Sequence, residues 1–215
     1  MTDDRLGWVM VAASYLAGSV PFGLLLGRFV AGIDVRQAGS GNIGATNVAR
    51  TAGHRLGMLT LLLDAGKGGL SVAATALALG APHDADWPAA AGLAAFLGHV
   101  FPPWLGFRGG KGVATAFGAF VVLSPWLALV ASVVFGATFG ATHVASLSSM
   151  TAAVVMAGSC AAFHGLESPI TRVAAVVLVV VLLRHQANIR RMIRGEESGI
   201  RPRRSGRRSS RPPGG

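Results

Sequence analysis

Apolar residues in this chain form long runs separated by short polar segments. Seven such runs occupy residues 7–30, 54–79, 87–106, 112–123, 125–141, 146–163 and 169–183. Several approach or exceed the roughly 17 to 25 residues that cross a hydrocarbon core as an α-helix. The pattern predicts an all-α polytopic membrane protein with seven transmembrane helices, some of them short.

Residues 112–163 allow more than one division, because the fourth run is too short to cross a bilayer upright. A single helix over these residues, at about 1.5 Å per residue, would be near 78 Å long, more than twice a hydrocarbon core of about 30 Å. Pro125 and the polar segment "THVASLSS" at 142–149 are breaks that favour three shorter helices. A five-span arrangement would keep the same orientation of the termini.

Basic residues in the connecting segments predict the orientation, since Lys and Arg are enriched in short cytoplasmic loops. The connection after the first run holds Arg36, Arg50 and Arg55, and the one after the third run holds Arg108 and Lys111. The connections "GAPHDAD" and "HGLES" carry neither residue type. The N-terminus is therefore predicted outside and the C-terminus in the cytoplasm, and the first run has no cleavage site of a removed signal peptide.

The composition agrees with membrane embedding. Hydrophobic residues make up 52% of the chain and charged residues 13%, and the mean hydropathy is +0.54, which does not fit a soluble domain.

The net charge of +10 belongs mostly to the C-terminal end, where ten of the nineteen Lys and Arg residues lie at or after Arg184. We expect residues 1–197 to form one membrane domain, and residues 198–215 to be a disordered Arg-, Ser-, Pro- and Gly-rich cytoplasmic tail that binds no nucleic acid. The single cysteine, Cys160, excludes an internal disulfide and a cysteine-based metal site.

The segment "GSGNIGATNVAR" at residues 39–50 contains the G-x-G-x-x-G spacing of dinucleotide-binding loops in Gly39, Gly41 and Gly44. It follows an apolar helix and lacks the βαβ unit that this fingerprint requires. Backbone N–H groups leading into a helix, with hydroxyl, amide and guanidinium groups around them, favour an anion site. A flexible turn with helix caps is the alternative.

A second polar segment, "RGGKG" at residues 108–112, opens a short apolar helix. A Walker A loop needs Ser or Thr after its lysine, and Lys111 is followed by Gly112, so an ATPase is not supported. A cation and free backbone donors at a helix N-terminus again suit an anion. The alternative is that Arg108 and Lys111 only mark the cytoplasmic side.

Two pairs of polar residues lie in or beside the apolar runs. His185 and Asn188, at i and i+3 of the last predicted helix, project from one face toward the interior of the bundle, although a histidine at a helix end is often only structural. Asp64 and Lys67 have the same spacing inside the second run, where they form either a functional site or a mutually compensating structural pair.

The polar segments are predicted on one face of the membrane, where they form a pocket with anion donors and walls that open to lipid. The serines at the 142–149 break either cap a helix or line this pocket. Such a site suits a substrate with a phosphate at one end and a hydrocarbon chain at the other, so a membrane enzyme of lipid assembly is the leading hypothesis. A small transporter for an organic phosphate is the alternative, weakened because the polar segments show no evident inverted repeat.

Five stretches of the sequence resemble, in order, the bacterial PlsY-type acyl-phosphate:glycerol-3-phosphate acyltransferases. They are "YLAGSVPFG", "GSGNIGATNVAR", "DAGKG", "GHVFPPWLGFRGGKGVATAFG" and "RHQANIRRMIRGEE", and they extend over nearly all of residues 7–197. The resemblance implies a seven-helix enzyme of the bacterial cell membrane whose active site faces the cytoplasm. It also implies acyl transfer from acyl phosphate to the sn-1 hydroxyl of glycerol 3-phosphate, which gives lysophosphatidic acid and phosphate in the first acylation of phospholipid biosynthesis.

The resemblance, together with the chemistry of the segments, assigns expected roles to individual residues. Catalytic roles fall on Ser40, Arg50, Lys111, His185 and Asn188. Substrate and phosphate binding falls on Gly41, Asn42, Gly44, Thr46, Asn47, Gly109, Gly110, Gly112, Ser146 and Ser148. Structural roles fall on Asp64, Lys67 and Glu197, the last from reading "RGEE" as G-x-E. No cofactor or metal is implied, and the expected partners are the two substrates, membrane lipid and, functionally, an enzyme that produces acyl phosphate.

An acyl phosphate is a mixed anhydride that is already activated, so the reaction demands neither a protein nucleophile nor a metal. Positioning the hydroxyl against the carbonyl and stabilising the leaving phosphate would supply most of the catalysis. His185 is a candidate general base, and the competing hypothesis is that a substrate phosphate oxygen takes the proton while His185 only positions it. None of the six histidines has Asp five residues on, which argues against the H-x-x-x-x-D class of acyltransferases.

Overall fold

The computed structural model describes residues 4–197 and residue 199. Over these residues the chain forms ten α-helices, two short 3₁₀ turns and no β-strand. The helices are α1 (Asp4–Gly18), α2 (Phe22–Ala31), α3 (Ala45–Ala52), α4 (His54–Leu79), α5 (Asp86–Val100), α6 (Val113–Leu123), α7 (Pro125–Thr142), α8 (Ala145–His164), α9 (Pro169–Arg184) and α10 (Gln186–Ile193). The predicted all-α fold is confirmed, and all but Gly199 of the predicted tail at 198–215 lies outside the described residues.

Each of the seven predicted apolar runs contains helix, but the helices differ in length. Within the described residues, four stretches are long and apolar enough to cross a membrane: Asp4–Ala31, His54–Leu79, Pro125–Thr142 and Ala145–His164. The bent pair of α9 and α10 makes a fifth if it is counted as one span. Helices α5 and α6 have only 15 and 11 residues. Residues 112–163 are divided into three helices, as predicted.

The first run, predicted as one helix, is broken into two. Helix α1 ends at Gly18 and α2 begins at Phe22, with Pro21 at the break. Proline has no N–H and its ring collides with the carbonyl one turn earlier, so the helix does not continue through it. At the break the carbonyl oxygen of Val20 accepts a hydrogen bond of 3.1 Å from the N–H of Phe22 and one of 2.9 Å from Nζ of Lys67.

Three more helix boundaries differ from the prediction for local reasons. The third run stops being helical at Val100, because two consecutive prolines follow at 102 and 103. The first polar loop contains the additional helix α3. Helices α9 and α10 meet at a bend of 56° at His185, where the carbonyl oxygen of Val181 accepts from both the ring Nδ1 and the backbone N–H of His185. His185 and Asn188 therefore do not share one face of a continuous helix, contrary to the prediction.

Helices α4 and α6 pack so closely that their backbones touch. A Cβ added to Gly68 would overlap the carbonyl oxygen of Thr115, and one added to Gly118 would overlap that of Ala65. Helices α1 and α5 meet in the same way, since Gly18 faces the backbone of Ala95. Close van der Waals packing through small residues is typical of membrane bundles. We call α1, α2, α4, α5 and the face of α6 that contacts α4 the packed side.

The outer surface of the bundle is strongly apolar. Trp8, Leu77 and Phe163 have 66%, 85% and 74% of their surface exposed. Large side chains at these positions are expected of helices that contact lipid. The interior is built around fully buried groups such as Phe96 and Ile170.

Candidate active site

A cavity of about 630 Å³ lies between the polar loops at one end of the bundle and helices α6 to α9. Its polar end is lined by residues from the segment at 39–50, the segment at 108–112 and the C-terminal stretch at 185–197. They are Gly39, Ser40, Asn42, Gly44, Thr46, Asn47, Arg50, Lys111, Gly112, His185, Asn188, Arg191 and Glu197. The five predicted catalytic residues therefore share one cavity, although they come from three distant parts of the chain.

The first loop is held in shape by the buried side chain of Asn47. Its Oδ1 accepts a hydrogen bond of 2.8 Å from the backbone N–H of Ser40, and its Nδ2 donates to the carbonyl oxygens of Val35, Ala38 and Asn42. Both polar atoms of Asn47 are therefore engaged inside the loop. Asn47 lines the cavity, but its side chain has the contacts of a loop support and not those of a free ligand donor.

The loop presents other side chains to the cavity. Among the described residues, neither the Ser40 hydroxyl nor the Arg50 guanidinium has a hydrogen-bond partner, and both line the cavity. Oδ1 of Asn42 accepts from the N–H of Gly44 at 2.8 Å, which leaves the Asn42 NH₂ group available. Gly41, predicted to bind substrate, lies outside the cavity lining.

The glycine loop before α6 is held by the end of α5 and by Arg184. The N–H groups of Gly109 and Gly110 donate to the carbonyl oxygens of Val100 and His99. Their own carbonyl oxygens accept from the Arg184 guanidinium at 2.7 and 3.2 Å. Neither glycine lines the cavity or has a free N–H for a phosphate, contrary to the prediction. The N–H groups that the sequence predicts to bind phosphate are instead used to anchor the loop.

Lys111 and Gly112 form the part of this loop that faces the cavity. Gly112 has a φ of 77°, a left-handed conformation that favours glycine, and a Cβ at this position would overlap the ring of Phe96. In the part of the chain that the structure describes, the N–H groups of Lys111 and Gly112 have no partner. They remain donors at the N-terminus of α6, where an anion is favoured.

A chain of hydrogen bonds joins the glycine loop to the C-terminal segment. Nζ of Lys111 donates to Oδ1 of Asn188, and Nδ2 of Asn188 donates to Oε1 of Glu197, both at 2.5 Å. Glu197 also accepts from Oγ of Ser146 at 2.7 Å and from Nε of Arg191 at 2.6 Å. The Glu197 carboxylate is thus the shared acceptor that ties α8, α10 and the glycine loop together.

The ionisable groups at the two ends of this network have shifted pKa values. Burial lowers the pKa of Lys111 to about 8; Glu197 opposes this shift, and the guanidinium groups of Arg191, Arg184 and Arg50 add to it. Burial disfavours the ionised form of Glu197, but its hydrogen bonds outweigh this effect and hold its pKa below the ordinary value. At neutral pH the polar end therefore has a cationic Lys111, an anionic Glu197 and a net positive charge from the guanidinium groups.

The His185 ring lines the cavity with one of its nitrogens already engaged. The ring is almost completely buried, and its Nδ1 lies 2.8 Å from the carbonyl oxygen of Val181. A carbonyl oxygen only accepts hydrogen bonds, so Nδ1 carries the proton and Nε2 has a free lone pair. This tautomer is the one that a general base at Nε2 requires.

The two candidate serines at the start of α8 differ in position. Ser146 lines the cavity and donates to Glu197. Ser148 is fully buried, donates to the carbonyl oxygen of Val144 and lies outside the lining. The structure therefore brings only Ser146 to the site, while Ser148 stabilises the first turn of the helix.

Asp64, Lys67 and His99 form a buried cluster beneath the glycine loop. Nζ of Lys67 lies 2.8 Å from both Oδ1 of Asp64 and Nδ1 of His99, and it also donates to the Val20 carbonyl. The Lys67 ammonium thus neutralises the Asp64 carboxylate and donates a hydrogen bond at the break in the first run. These contacts are those of a structural cluster. Asp64 and His99 also line the cavity, and a Cβ at Gly110 would overlap Nε2 of His99. The cluster therefore supports the loop from below.

Three residues of the site, Arg184, Arg191 and His99, have no role in the sequence-based prediction, although they lie within the stretches that resemble the family. In sequence, His99 is a histidine near the end of an apolar run, and the two arginines look like ordinary charges at a membrane surface. Their contacts depend on how α5, α9 and α10 are placed. Within residues 4–197, no group of three or more His, Cys, Asp or Glu side chains has the arrangement of a metal site.

Away from the loops, the cavity continues between α6, α7, α8 and α9 along small and apolar side chains. Seven of the lining residues on these helices are alanines: Ala114, Ala116, Ala131, Ala145, Ala152, Ala153 and Ala174. Larger apolar groups such as Phe120, Met156 and Val177 complete the wall. We call α7, α8, α9 and the face of α6 toward them the cavity side. A ligand with a charged end and an apolar chain matches this division.

Comparison with known sequences finds matches over almost the whole chain. The family model described as glycerol-3-phosphate acyltransferase matches residues 8–195. A glycerol-3-phosphate acyltransferase of Anaeromyxobacter sp. (strain Fw109-5) is 50% identical over 202 residues, which cover 94% of this chain and 100% of that protein. One from Myxococcus xanthus (strain DK1622) is 46% identical over 188 residues, which cover 87% of this chain and 96% of that protein.

Comparison with solved structures gives the same result for the fold. A crystal structure of PlsY, described as an integral membrane glycerol 3-phosphate acyltransferase in its glycerol 3-phosphate form, matches with a TM-score of 0.85. It is 35% identical in sequence, and the match covers 91% of this chain and 96% of that one. The lysophosphatidic acid form matches with a TM-score of 0.81 at 34% identity, covering 90% and 94% of the two chains.

Proposed function

This chain belongs to the glycerol-3-phosphate acyltransferase family, and we propose that it transfers a fatty acyl group from acyl phosphate to the sn-1 hydroxyl of glycerol 3-phosphate. A bond forms between the sn-1 oxygen and the acyl carbon, and the bond from that carbon to the phosphate oxygen breaks. The hydroxyl proton passes to a base. The products are lysophosphatidic acid and inorganic phosphate.

The observation that carries the proposal is the division of one cavity into a cationic end and an apolar end. Arg50, Lys111 and the free N–H groups at the start of α6 suit the phosphates of both substrates, and the space between α7, α8 and α9 suits an acyl chain. The reacting carbonyl of an acyl phosphate lies between its phosphate and its chain, which places it at the boundary, near His185. The two PlsY structures that this chain resembles are named for glycerol 3-phosphate and lysophosphatidic acid.

The side chains of the cationic end divide the work of holding phosphate and stabilising charge. Lys111 and Arg50 neutralise phosphate oxygens, including the charge that develops on the leaving phosphate. The Ser40 hydroxyl and the Asn42 NH₂ group add neutral donors. Asn188 fixes Lys111 through its 2.5 Å hydrogen bond and is itself fixed by Glu197. Because Lys111 and Asn188 are held before substrate arrives, these two groups need little reorganisation during the reaction.

Nε2 of His185 is the proposed acceptor of the hydroxyl proton, since Nδ1 is engaged by Val181. The alternative acceptor is a phosphate oxygen of the substrate. The variant His185→Gln keeps hydrogen-bonding capacity but cannot act as a base. We expect turnover to fall about 10²- to 10⁴-fold, with a changed pH profile. Near-native turnover with an unchanged pH dependence would exclude His185 as the base.

All seven apolar runs are proposed to cross the bacterial cell membrane, with the N-terminus outside and the site in the cytoplasm. The distribution of Lys and Arg among the connections supports this orientation. A cytoplasmic site receives acyl phosphate from the enzyme that produces it, which is the expected functional link. The test is labelling of Cys160→Ala proteins that carry His83→Cys or Arg108→Cys, with a membrane-impermeant thiol reagent on intact cells. Only the cysteine at 83 should react, and reaction at 108 would reverse the topology.

The deciding experiment uses the purified protein in lipid vesicles with acyl phosphate and labelled glycerol 3-phosphate. We expect labelled lysophosphatidic acid and an equal amount of free phosphate. Parallel reactions with acyl-CoA test the donor, and the same yield from acyl-CoA would contradict the proposed donor. Accumulation of label inside the vesicles without product would indicate a transporter for an organic phosphate.

A further inference from the structure

The apolar part of the cavity ends inside the bundle on all four of its helices, before any of them reaches its far end. Going away from the polar loops, the last lining residues are Phe120 on α6, Ala131 on α7, Met156 on α8 and Ala174 on α9. No residue beyond these on α6 to α9 lines the cavity. Since four independent helices agree, the end is a feature of the bundle and not of one side chain.

Buried side chains one helical turn further on form the floor. They follow the last lining residues at spacings of three or four, which places them on the same helix faces. They are Leu123, Ala128, Cys160 and Ile170, all no more than 4% exposed and all in the main apolar core. The space is therefore closed by packed core.

The floor lies toward the side of the bundle where α6 and α8 end and α7 and α9 begin, opposite the polar loops. Ser124, between α6 and α7, has its Oγ 3.1 Å from Nε2 of His164, the last residue of α8. This contact ties the far ends of the helices together. The cavity is thus open at the polar loops and blind at the other end.

The depth of the apolar part follows from the rise of α8. Ser146 at the polar end and Met156 at the blind end are ten residues apart, which corresponds to about 15 Å along the helix axis. That is about half of a hydrocarbon core of about 30 Å. A chain longer than this depth meets Met156, whose sulfur lies 3.7 Å from the Cys160 sulfur on the floor.

We propose that the blind end formed by Met156 and Ala174 sets the acyl-chain length that the enzyme prefers. The inference rests on the proposed function, since the occupant of this space is the acyl chain of the donor. Met156 limits the depth from α8, and the small side chain of Ala174 leaves the last of the space open from α9. Removing bulk at 156 therefore favours longer chains, and adding bulk at 174 favours shorter ones.

The test is a competition among acyl phosphates of increasing even chain length, with glycerol 3-phosphate as acceptor and products separated by mass. Met156→Ala should raise kcat/KM for longer chains relative to shorter ones by about tenfold per methylene pair at the boundary, and Ala174→Leu should lower it similarly. The opposite signs of the two shifts distinguish a depth limit from general damage to the site.

The chain offers a matched control for each variant. Val154→Ala truncates a half-exposed residue on α8, and Ala175→Leu enlarges an exposed residue next to Ala174. Both controls should keep the wild-type chain profile. If Met156→Ala and Ala174→Leu also keep that profile while forming product, the inference is wrong. If the wild-type protein forms no product from any acyl phosphate, the proposed function fails instead.

A second measurement needs no substitution. An acyl phosphate of the preferred length with a diazirine at its terminal carbon, irradiated in the wild-type protein, should label Met156 or Cys160 themselves, as located by fragmentation of the labelled peptide in a mass spectrometer. Labelling confined to lipid-facing residues such as Val154 and Phe163 would show that the chain end lies outside the bundle and would overturn the inference.

Discussion

The two faces of helix α6 have opposite packing, although both use small residues. On the packed side, Gly118 meets the backbone of Ala65 so closely that no Cβ fits between α6 and α4. On the cavity side, Ala116 and Phe120 face an open space of about 630 Å³. Small residues therefore have two uses in this bundle: glycines bring helices together, and alanines spread over several helices leave room that no neighbour fills.

This difference indicates a structural role for the packed side and a chemical role for the cavity side and its loops. The packed side holds the buried Asp64–Lys67–His99 cluster, on which the glycine loop rests. The cavity side supplies the space that we propose for the acyl chain, and the polar loops lie at the opposite end of this space from its floor. Changes on the packed side should therefore lower stability, and changes at the cavity and its loops should lower activity while the protein remains folded.

The largest expected effect is on the packed side. Lys67→Met leaves the Asp64 carboxylate buried without its nearest cation and removes one of the two donors to the Val20 carbonyl, which should lower the free energy of unfolding by about 3–5 kcal/mol. Thermal unfolding of the detergent-solubilised protein measures this. The double variant Asp64→Asn/Lys67→Met should recover part of the loss. Wild-type stability with lost activity would instead make the cluster a chemical part of the site.

Lys111→Met should have the next largest effect, and only on activity. Removing the cation from the glycine loop takes away a donor to phosphate, so we expect kcat/KM to fall about 10²- to 10³-fold. The melting temperature should not decrease, because a buried ammonium is replaced by an apolar group of similar length. A variant that melts at a clearly lower temperature would show that Lys111 holds the fold as well.

Two glycine substitutions compare the close contact between α4 and α6 with an open surface of α8. Gly118→Ala inserts a methyl group against the Ala65 carbonyl and should destabilise the protein by about 1–3 kcal/mol. Gly158→Ala, on α8 with nothing within 4 Å, should be neutral or stabilising by about 0.5–1 kcal/mol. Both are read from thermal unfolding. Equal effects at the two positions would contradict the division into two sides.

Arg184 is expected to position the glycine loop without touching substrate. Arg184→Met removes the hydrogen bonds to Gly109 and Gly110, and we expect kcat/KM to fall about tenfold, the size of one lost charge-assisted hydrogen bond of about 1.5 kcal/mol. Arg184→Lys should recover part of the activity. Arg172→Met, at an exposed ion pair with Asp86, is the matched control and should leave activity unchanged. An effect at 172 as large as at 184 would point to charge alone.

The smallest effect is the pH dependence that Lys111 imparts. Its pKa of about 8 predicts that kcat/KM for glycerol 3-phosphate falls as the pH rises through 8, because the neutral amine no longer attracts phosphate.

Folding lowers this pKa from 10.5, so the folded protein binds fewer protons than the unfolded chain between these values, and Lys111 makes stability rise with pH there. The activity loss is therefore not unfolding. An active Lys111→Arg variant should lack the fall near pH 8, since arginine keeps its charge; an unchanged fall would assign it to another group.

Much of the fold was readable from the sequence, because helices in a membrane need long apolar runs. Each of the seven runs contains helix, and the breaks at Pro125 and at 142–149 separate α6, α7 and α8 as predicted. The break at Pro21 was missed because the residues on both sides of it are apolar. The bend at His185 is not signalled by any proline or glycine near it in the sequence.

The candidate site was predictable in its membership but not in its contacts. The polar segments that contain Ser40, Arg50, Lys111, His185 and Asn188 stand out against apolar surroundings, and all five line one cavity. Gly109 and Gly110 look like phosphate ligands in sequence, yet their N–H groups are engaged by the end of α5. Which backbone groups remain free is a property of the folded loop, so spacing alone does not reveal it.

Local composition is enough to predict a helical membrane protein with a candidate anion site at one end, because transfer of apolar runs into lipid and the cost of burying charge act on short segments. The contacts of Glu197 with Ser146, Asn188 and Arg191, and the end of the cavity at Met156, are visible only in the folded protein. Those features depend on which side chains of distant helices meet, and on where small residues of several helices coincide in space.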